Sequence, residues 1–177
     1  MATDIRLGRV ADLEISMAPT GLAGTLFNVV LFTLLGRLVF KRPMARAVVG
    51  GVTLAGVHWW LEIWHNIGHA RAARMTGHPM TGVRLGSPYG VLGTSIYPED
   101  EGELPPRVHI TRALGGPISS AALSVVTGSV ALLATPFGFG WIPLVAFLDN
   151  LTVFTIGAWV PVGFNDVSTV IYWMRRR

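Results

Sequence analysis

Cysteine is absent from all 177 residues, which excludes disulfides, thiolate metal sites and a cysteine nucleophile together. Charge is scarce as well. Only 14% of residues are charged and 51% are hydrophobic, whereas about a quarter are charged in a typical soluble domain. The scarcity is uneven: no charged side chain stands between Glu14 and Arg37, and none between Arg112 and Asp149. A bilayer core needs about 20 mainly apolar residues per helix. These gaps therefore mark an α-helical integral membrane protein. There is no internal repeat, heptad array or low-complexity tract, and the opening "MATDIRLGRVADLEIS" mixes both charges without the pattern of a cleavable signal.

What charge there is sits at the ends of apolar runs. The formal +4 comes from groups such as Arg37, Lys41, Arg42 and Arg46, and from Arg175, Arg176 and Arg177. These read as interfacial anchors facing the headgroups of the lipid bilayer. Nucleic acid is not an expected partner, because no basic run is interleaved with base-stacking aromatics. The Arg-rich C-terminus points to cytoplasmic termini.

Along the chain, Ile5, Leu7, Val10, Leu13, Ile15 and Met17 alternate imperfectly with polar residues, giving a short strand or surface-lying segment. "GLAGTLFNVVLFTLLGRLVF" (21–40) is the first spanning helix. The second runs from about Met44 to Met75, where Gly77 can adopt a left-handed cap and Pro79 cannot continue the helix. The Gly-rich stretch after it, with scattered β-formers, predicts a small hairpin or sheet. "EDEGELPPR" reads as an exposed acidic turn. The uncharged stretch 113–148 is too long for one crossing, and "TPFGFGWIP" breaks it near 135–143. A third helix at about 109–134 and a fourth at about 141–160 follow. The expectation is one membrane domain over 1–177, with about four transmembrane helices and a small β element between helices 2 and 3.

The second helix carries "WHNIGHARAARMTGHP" (Trp64–Pro79). His65 and His69 are i and i+4, so both rings leave one face about 6 Å apart along the axis, within reach of one Zn²⁺. Two histidines in an ordinary helix most often only pack. Here they sit in a membrane segment, where ionisable groups are costly and by default functional, and His58, Glu62, His65 and His69 continue one face. A third ligand should come from another helix, and Asp149 and Asp166 are the candidates. Asp166 follows Pro161 in "WVPVGFND", where proline and glycine loosen the backbone. Two histidines and a carboxylate with an open position form a catalytic-type zinc set.

These residues carry a resemblance. The chain resembles the site-2 protease family of intramembrane zinc metalloproteases, in its short bacterial form. "HNIGHARAARMTGHPMTGVRLGSPYG" is similar to that family's H-E-x-G-H helix and the turn and strand after it. "RALGGPISSAAL" is similar to its Gly-Pro segment, "VPVGFND" keeps its proline-to-aspartate spacing, and "IRLGRVADLEISMAPT" resembles its opening strand. The resemblance implies His65, His69 and Asp166 as metal ligands, zinc as cofactor, a small sheet over 80–97 near the substrate, and a multi-pass protein of the bacterial inner (cell) membrane.

The departures matter as much. Asn66 stands where H-E-x-x-H carries its general-base glutamate, Val167 and Ser168 replace glycines, and Ala158 replaces an asparagine. An amide accepts no proton at ordinary pH. Glu62, the one candidate substitute, lies a turn higher, roughly 6 Å along the axis, and a role holding His58 or His65 by hydrogen bond suits it better. Gly115, Gly116, Pro117, Ser119 and Ser120 read as a small face for close helix packing, Trp59, Trp60 and Trp64 as packing or interface residues, and Asp149 with Asn150 as a polar contact inside the bundle. Two function classes stay open. One is a protease-like scaffold that does not cut and binds other transmembrane proteins as a subunit of a membrane complex. The other is an active zinc metallopeptidase using Glu62 as a displaced base. Residue 66 favours the first, so no catalytic residue is assigned.

Overall fold

The computed structural model describes residues 3–86, 90–134 and 140–176. Strands β1 (Ile5–Val10) and β2 (Leu13–Met17) pair antiparallel about Ala11 and Asp12, which both have positive φ, 50° and 68°. That is the backbone of a two-residue turn whose twist suits the flanking strands. The single segment expected over Ile5–Met17 is thus a hairpin. Its turn holds neither glycine nor asparagine, and so gave no signal. Leu13, Ile15 and Met17 of β2 are buried, while β1 is exposed throughout.

Helix α1 (Pro19–Leu34) begins with proline in its first turn, where the missing N–H costs nothing, and runs on through a π-helical turn to Val39. Helix α2 (Met44–Met75) follows Pro43 and has 32 residues, about 48 Å at 1.5 Å per residue. It ends as expected, with Gly77 at φ 79°. Strands β3 (Gly82–Leu85) and β4 (Gly93–Ile96) form the β element between the second and third helices. The sheet order is β1-β2-β3-β4, parallel only between β2 and β3. Its inner face, Leu13, Ile15, Met17, Val83 and Leu85, packs on Trp59, Ala70 and Ala73 of α2.

Helix α3 (Pro106–Ala134) contains Pro117. Helix α4 (Trp141–Asp149) continues as a π-helical stretch, Asn150–Ile156, and a 3-10 turn, Gly157–Trp159. Of the break expected near 135–143, residues 135–139 lie outside the described residues. A short helix not foreseen from the sequence, α5 (Asp166–Met174), closes the chain.

Among the described residues, three helices are long and apolar enough to cross a membrane: Pro19–Val39, Pro106–Ala134 and Trp141–Trp159, with mean hydropathies of 1.8, 1.7 and 1.5. Four were expected. The difference is α2, which has the length but not the composition. Its polar residues His58, Glu62, His65, Asn66 and His69 are all buried, because α2 packs between α1 and α3. The outer helices instead expose Leu26, Phe27, Val125 and Leu132, an apolar girdle far larger than a water-facing surface carries. Leu61 of α2 packs against Leu123 and Phe154 and is fully buried, a close contact of the kind that holds helices together in lipid.

Candidate metal centre

The centre is built where α2 and α3 meet backbone to backbone. A Cβ on Gly68 would strike the Gly115 carbonyl, and one on Gly115 would strike the Gly68 carbonyl. A Cβ on Gly116 would collide with Nε2 of both His65 and His69. Only glycine permits that approach, so the small-residue face packs on the histidine helix as expected.

Opposite, the chain leaves α4 and is turned back to the site by a cap. Asn165 precedes α5: its Oδ1 accepts from Ser168 Oγ (2.7 Å) and Ser168 N (3.3 Å), and its Nδ2 donates to the Gly157 carbonyl at 2.9 Å. Ser168 Oγ also accepts from Gly163 N at 2.9 Å. One of the departures from the family pattern thus has a structural use here. The cap sets Asp166 in the first turn of α5, aimed at α2.

The three expected ligands converge. His65 Nε2 lies 3.1 Å from Asp166 Oδ2, His69 Nε2 lies 3.2 Å from Asp166 Oδ1, and the two Nε2 atoms are 3.0 Å apart. One donor atom from each residue lies within 4.8 Å of the others. The chemistry of the set fits a cation. His65 Nδ1 meets Ser120 Oγ at 2.9 Å and His69 Nδ1 meets the Arg112 carbonyl at 2.8 Å. Protons held there leave the Nε2 lone pairs facing a carboxylate, so electron pairs converge on one point. The group can hold a metal ion. Asp149, the other candidate, is elsewhere, 2.9 Å from His58 Nδ1.

The comparisons with known proteins bear on this arrangement. Neither a protein-family model nor a curated protein matches the chain in sequence. Among solved structures, a site-2 protease from Methanocaldococcus jannaschii matches over 98% of this chain and 72% of that one, with a TM-score of 0.67 at 14% identity. The fold is site-2-protease-like. At that identity the likeness speaks for the fold alone.

Within this site-2-protease-like fold, a cavity of about 900 Å³ opens beside the three donors, between α2, β4, the start of α3, the end of α4 and α5. Glu62 and Asn66 line it, both buried. The expectation that Glu62 holds a histidine is corrected. His58 spends its nitrogens on Asp149 and the Val91 carbonyl, and His65 spends its own on Ser120 and Asp166. The partner of Glu62 is Asn66, whose Nδ2 donates to Oε1 at 2.7 Å.

Other residues of the site gave no signal in the sequence. Arg112 sits buried at the rim, donating to the His78 carbonyl and forking onto Glu101, with Tyr97 stacked 4.1 Å from its guanidinium. The acidic turn is therefore not wholly solvated: Glu99, Asp100 and Glu103 are exposed, but Glu101 turns inward. The Arg112 guanidinium holds the Glu101 carboxyl below the usual glutamate range. A depressed value means that the pair stabilises the fold above about pH 4.3 and that its contribution fades as the pH falls through the lower folded value. Ser120 was read only as a small packing residue, and nothing in sequence pairs it with His65, 55 residues away. Asp149 and Asn150 do form polar contacts inside the bundle, Asn150 with the Ser120 carbonyl and Ser124 Oγ.

Proposed function

We propose that this chain is a non-cleaving member of the site-2-protease-like fold. It holds zinc at His65, His69 and Asp166, and accommodates a neighbouring transmembrane segment in the adjoining cavity as a subunit of a membrane complex. One observation carries this reading. Every carboxylate lining the cavity is already engaged: Asp166 with both histidines, Glu101 with Arg112, and Glu62 with Asn66. At the position of the protease base stands an amide whose oxygen is taken by Ser95 Oγ at 2.8 Å. General-base catalysis supplies about 10²–10⁴-fold, and no uncommitted carboxylate replaces it among the described cavity residues.

Zinc bound there would supply Lewis-acid polarisation of an oxygen ligand. The chain's own residues do the rest. Ser120 and the Arg112 carbonyl orient the imidazoles, Asn165 and Ser168 aim Asp166, and Gly115 and Gly116 let α3 close against the pair. In this reading α2 is a fourth span whose polar face is sealed inside the bundle, residues 1–177 act as one membrane domain, and the location is a bacterial inner membrane.

The competing reading is an active zinc metallopeptidase with Glu62 as displaced base, and it is favoured by Glu62 lining the same cavity as the three donors. Metal analysis of the purified protein, combined with an assay against transmembrane peptides, separates the two. Bound zinc without cleavage is expected. Robust cleavage that is lost in Glu62→Gln overturns the proposal in favour of the enzyme.

A further inference from the structure

Strand β4 is the outer strand of the sheet. The Leu92 and Ile96 carbonyls accept from Gly86 and Thr81 on the β3 side. By alternation, Gly93 and Ser95 turn their backbone groups to the free edge. That edge is met by two side chains of α2. Gly93 packs against the Glu62 carboxylate, which lies so close that a Cβ on Gly93 would come within 2.8 Å of Oε1. Ser95 Oγ donates to Asn66 Oδ1 at 2.8 Å. The two α2 residues are in turn joined to each other: Asn66 Nδ2 donates to Glu62 Oε1 at 2.7 Å and to the Glu62 carbonyl at 3.0 Å. Glu62 is 3% exposed and Asn66 is 2% exposed, so both are shielded from bulk solvent.

We propose that Glu62 and Asn66 form a matched acceptor–donor pair that locks β4 onto α2, and that Glu62 bars a carboxylate from position 66. The inference stands whether or not the site holds metal or cuts. Asn66 must give two hydrogens and take one. An amide does this; an ionised carboxyl offers no hydrogen at all. Placing one there sets acceptor against acceptor at hydrogen-bond distance and leaves buried groups unpaired. The amide at residue 66 and the carboxylate one turn earlier are therefore a single choice. Restoring H-E-x-x-H through Asn66→Glu requires Glu62 to change as well.

The test uses isosteric variants of the full chain in detergent, read by thermal unfolding and by hydrogen exchange of residues 90–97. Asn66→Asp lowers the unfolding midpoint and speeds exchange of the β4 amides roughly tenfold or more, since both hydrogens that Asn66 donates are lost. Glu62→Gln alone leaves both near the starting values, because its Oε1 still accepts from Asn66. The double variant Glu62→Gln/Asn66→Asp, which exchanges donor and acceptor between the side chains but leaves the residue 62 carbonyl without its donor, recovers part of both. If Asn66→Asp is too unstable to purify, recovery of the double variant supports the lock. An Asn66→Asp protein indistinguishable from the parent overturns the proposal, as does a double variant no better than Asn66→Asp.

Discussion

At His58 both ring nitrogens end on oxygen: Nδ1 on Asp149 at 2.9 Å and Nε2 on the Val91 carbonyl at 2.7 Å. Two turns along the same helix, His65 and His69 each tie Nδ1 to an oxygen of α3, Ser120 Oγ and the Arg112 carbonyl. Their Nε2 atoms face each other and Asp166. The ingredients are alike, since each junction joins imidazole from α2 to an aspartate from the C-terminal third. The outcomes differ because of what meets the second nitrogen. A carbonyl closes the first junction into a cross-link between α2, α4 and the loop before β4. At the second, Gly116 directs its N–H to His69 Nδ1 at 3.2 Å but offers nothing to either Nε2, and those atoms are left to converge with Asp166. A staple and a socket thus differ by one acceptor each.

The comparison can be broken most sharply by metal content. Asp166→Ala and His65→Ala should reduce zinc from about one per chain to near zero, and Asp149→Ala should leave it unchanged, by elemental analysis of purified protein. Zinc retained without Asp166, or lost without Asp149, would reverse the two roles. Next is stability. Removing one partner of a buried ion pair costs about 3–5 kcal/mol, so His58→Ala should lower the unfolding midpoint strongly while metal affinity per folded chain holds. A cost no larger than the roughly 1 kcal/mol of an exposed pair would make this junction incidental. The smallest effect sharpens the contrast. Ser120→Ala frees His65 Nδ1 and should weaken zinc about 10–100-fold in a chelator competition, with little change in unfolding.

How much of this was legible in the sequence depended on whether a signal was local. The end of α2 was, because Gly77 and Pro79 mark it. The donor set was partly so: the i, i+4 spacing gives the histidines, but choosing Asp166 over Asp149 leaned on a proline and a family pattern. The β1–β2 turn was missed because Ala11 and Asp12 adopt positive φ without the usual turn residues. Helix α5 was missed because its start rests on the Asn165–Ser168 cap in a short apolar tail. Ser120, and Arg112 with its carbonyl on His69, lie 55 and 43 residues from the histidines they orient. Only packing brings such partners together. Glu62 was misassigned for the same reason, since the nitrogens of His58 and His65 meet Asp149, Val91, Ser120 and Asp166 instead.

Helix α5 has no buried residue and spans nine positions, too few for a helix to persist in water by itself. It is held by its cap and by the stacking of Trp173 on His109, with ring centroids 4.0 Å apart. Segments with few buried contacts open at far lower free energy than the cores they lean on. If the site holds zinc as proposed, opening of α5 would withdraw Asp166 from the ion while the two histidines stay in place inside the bundle.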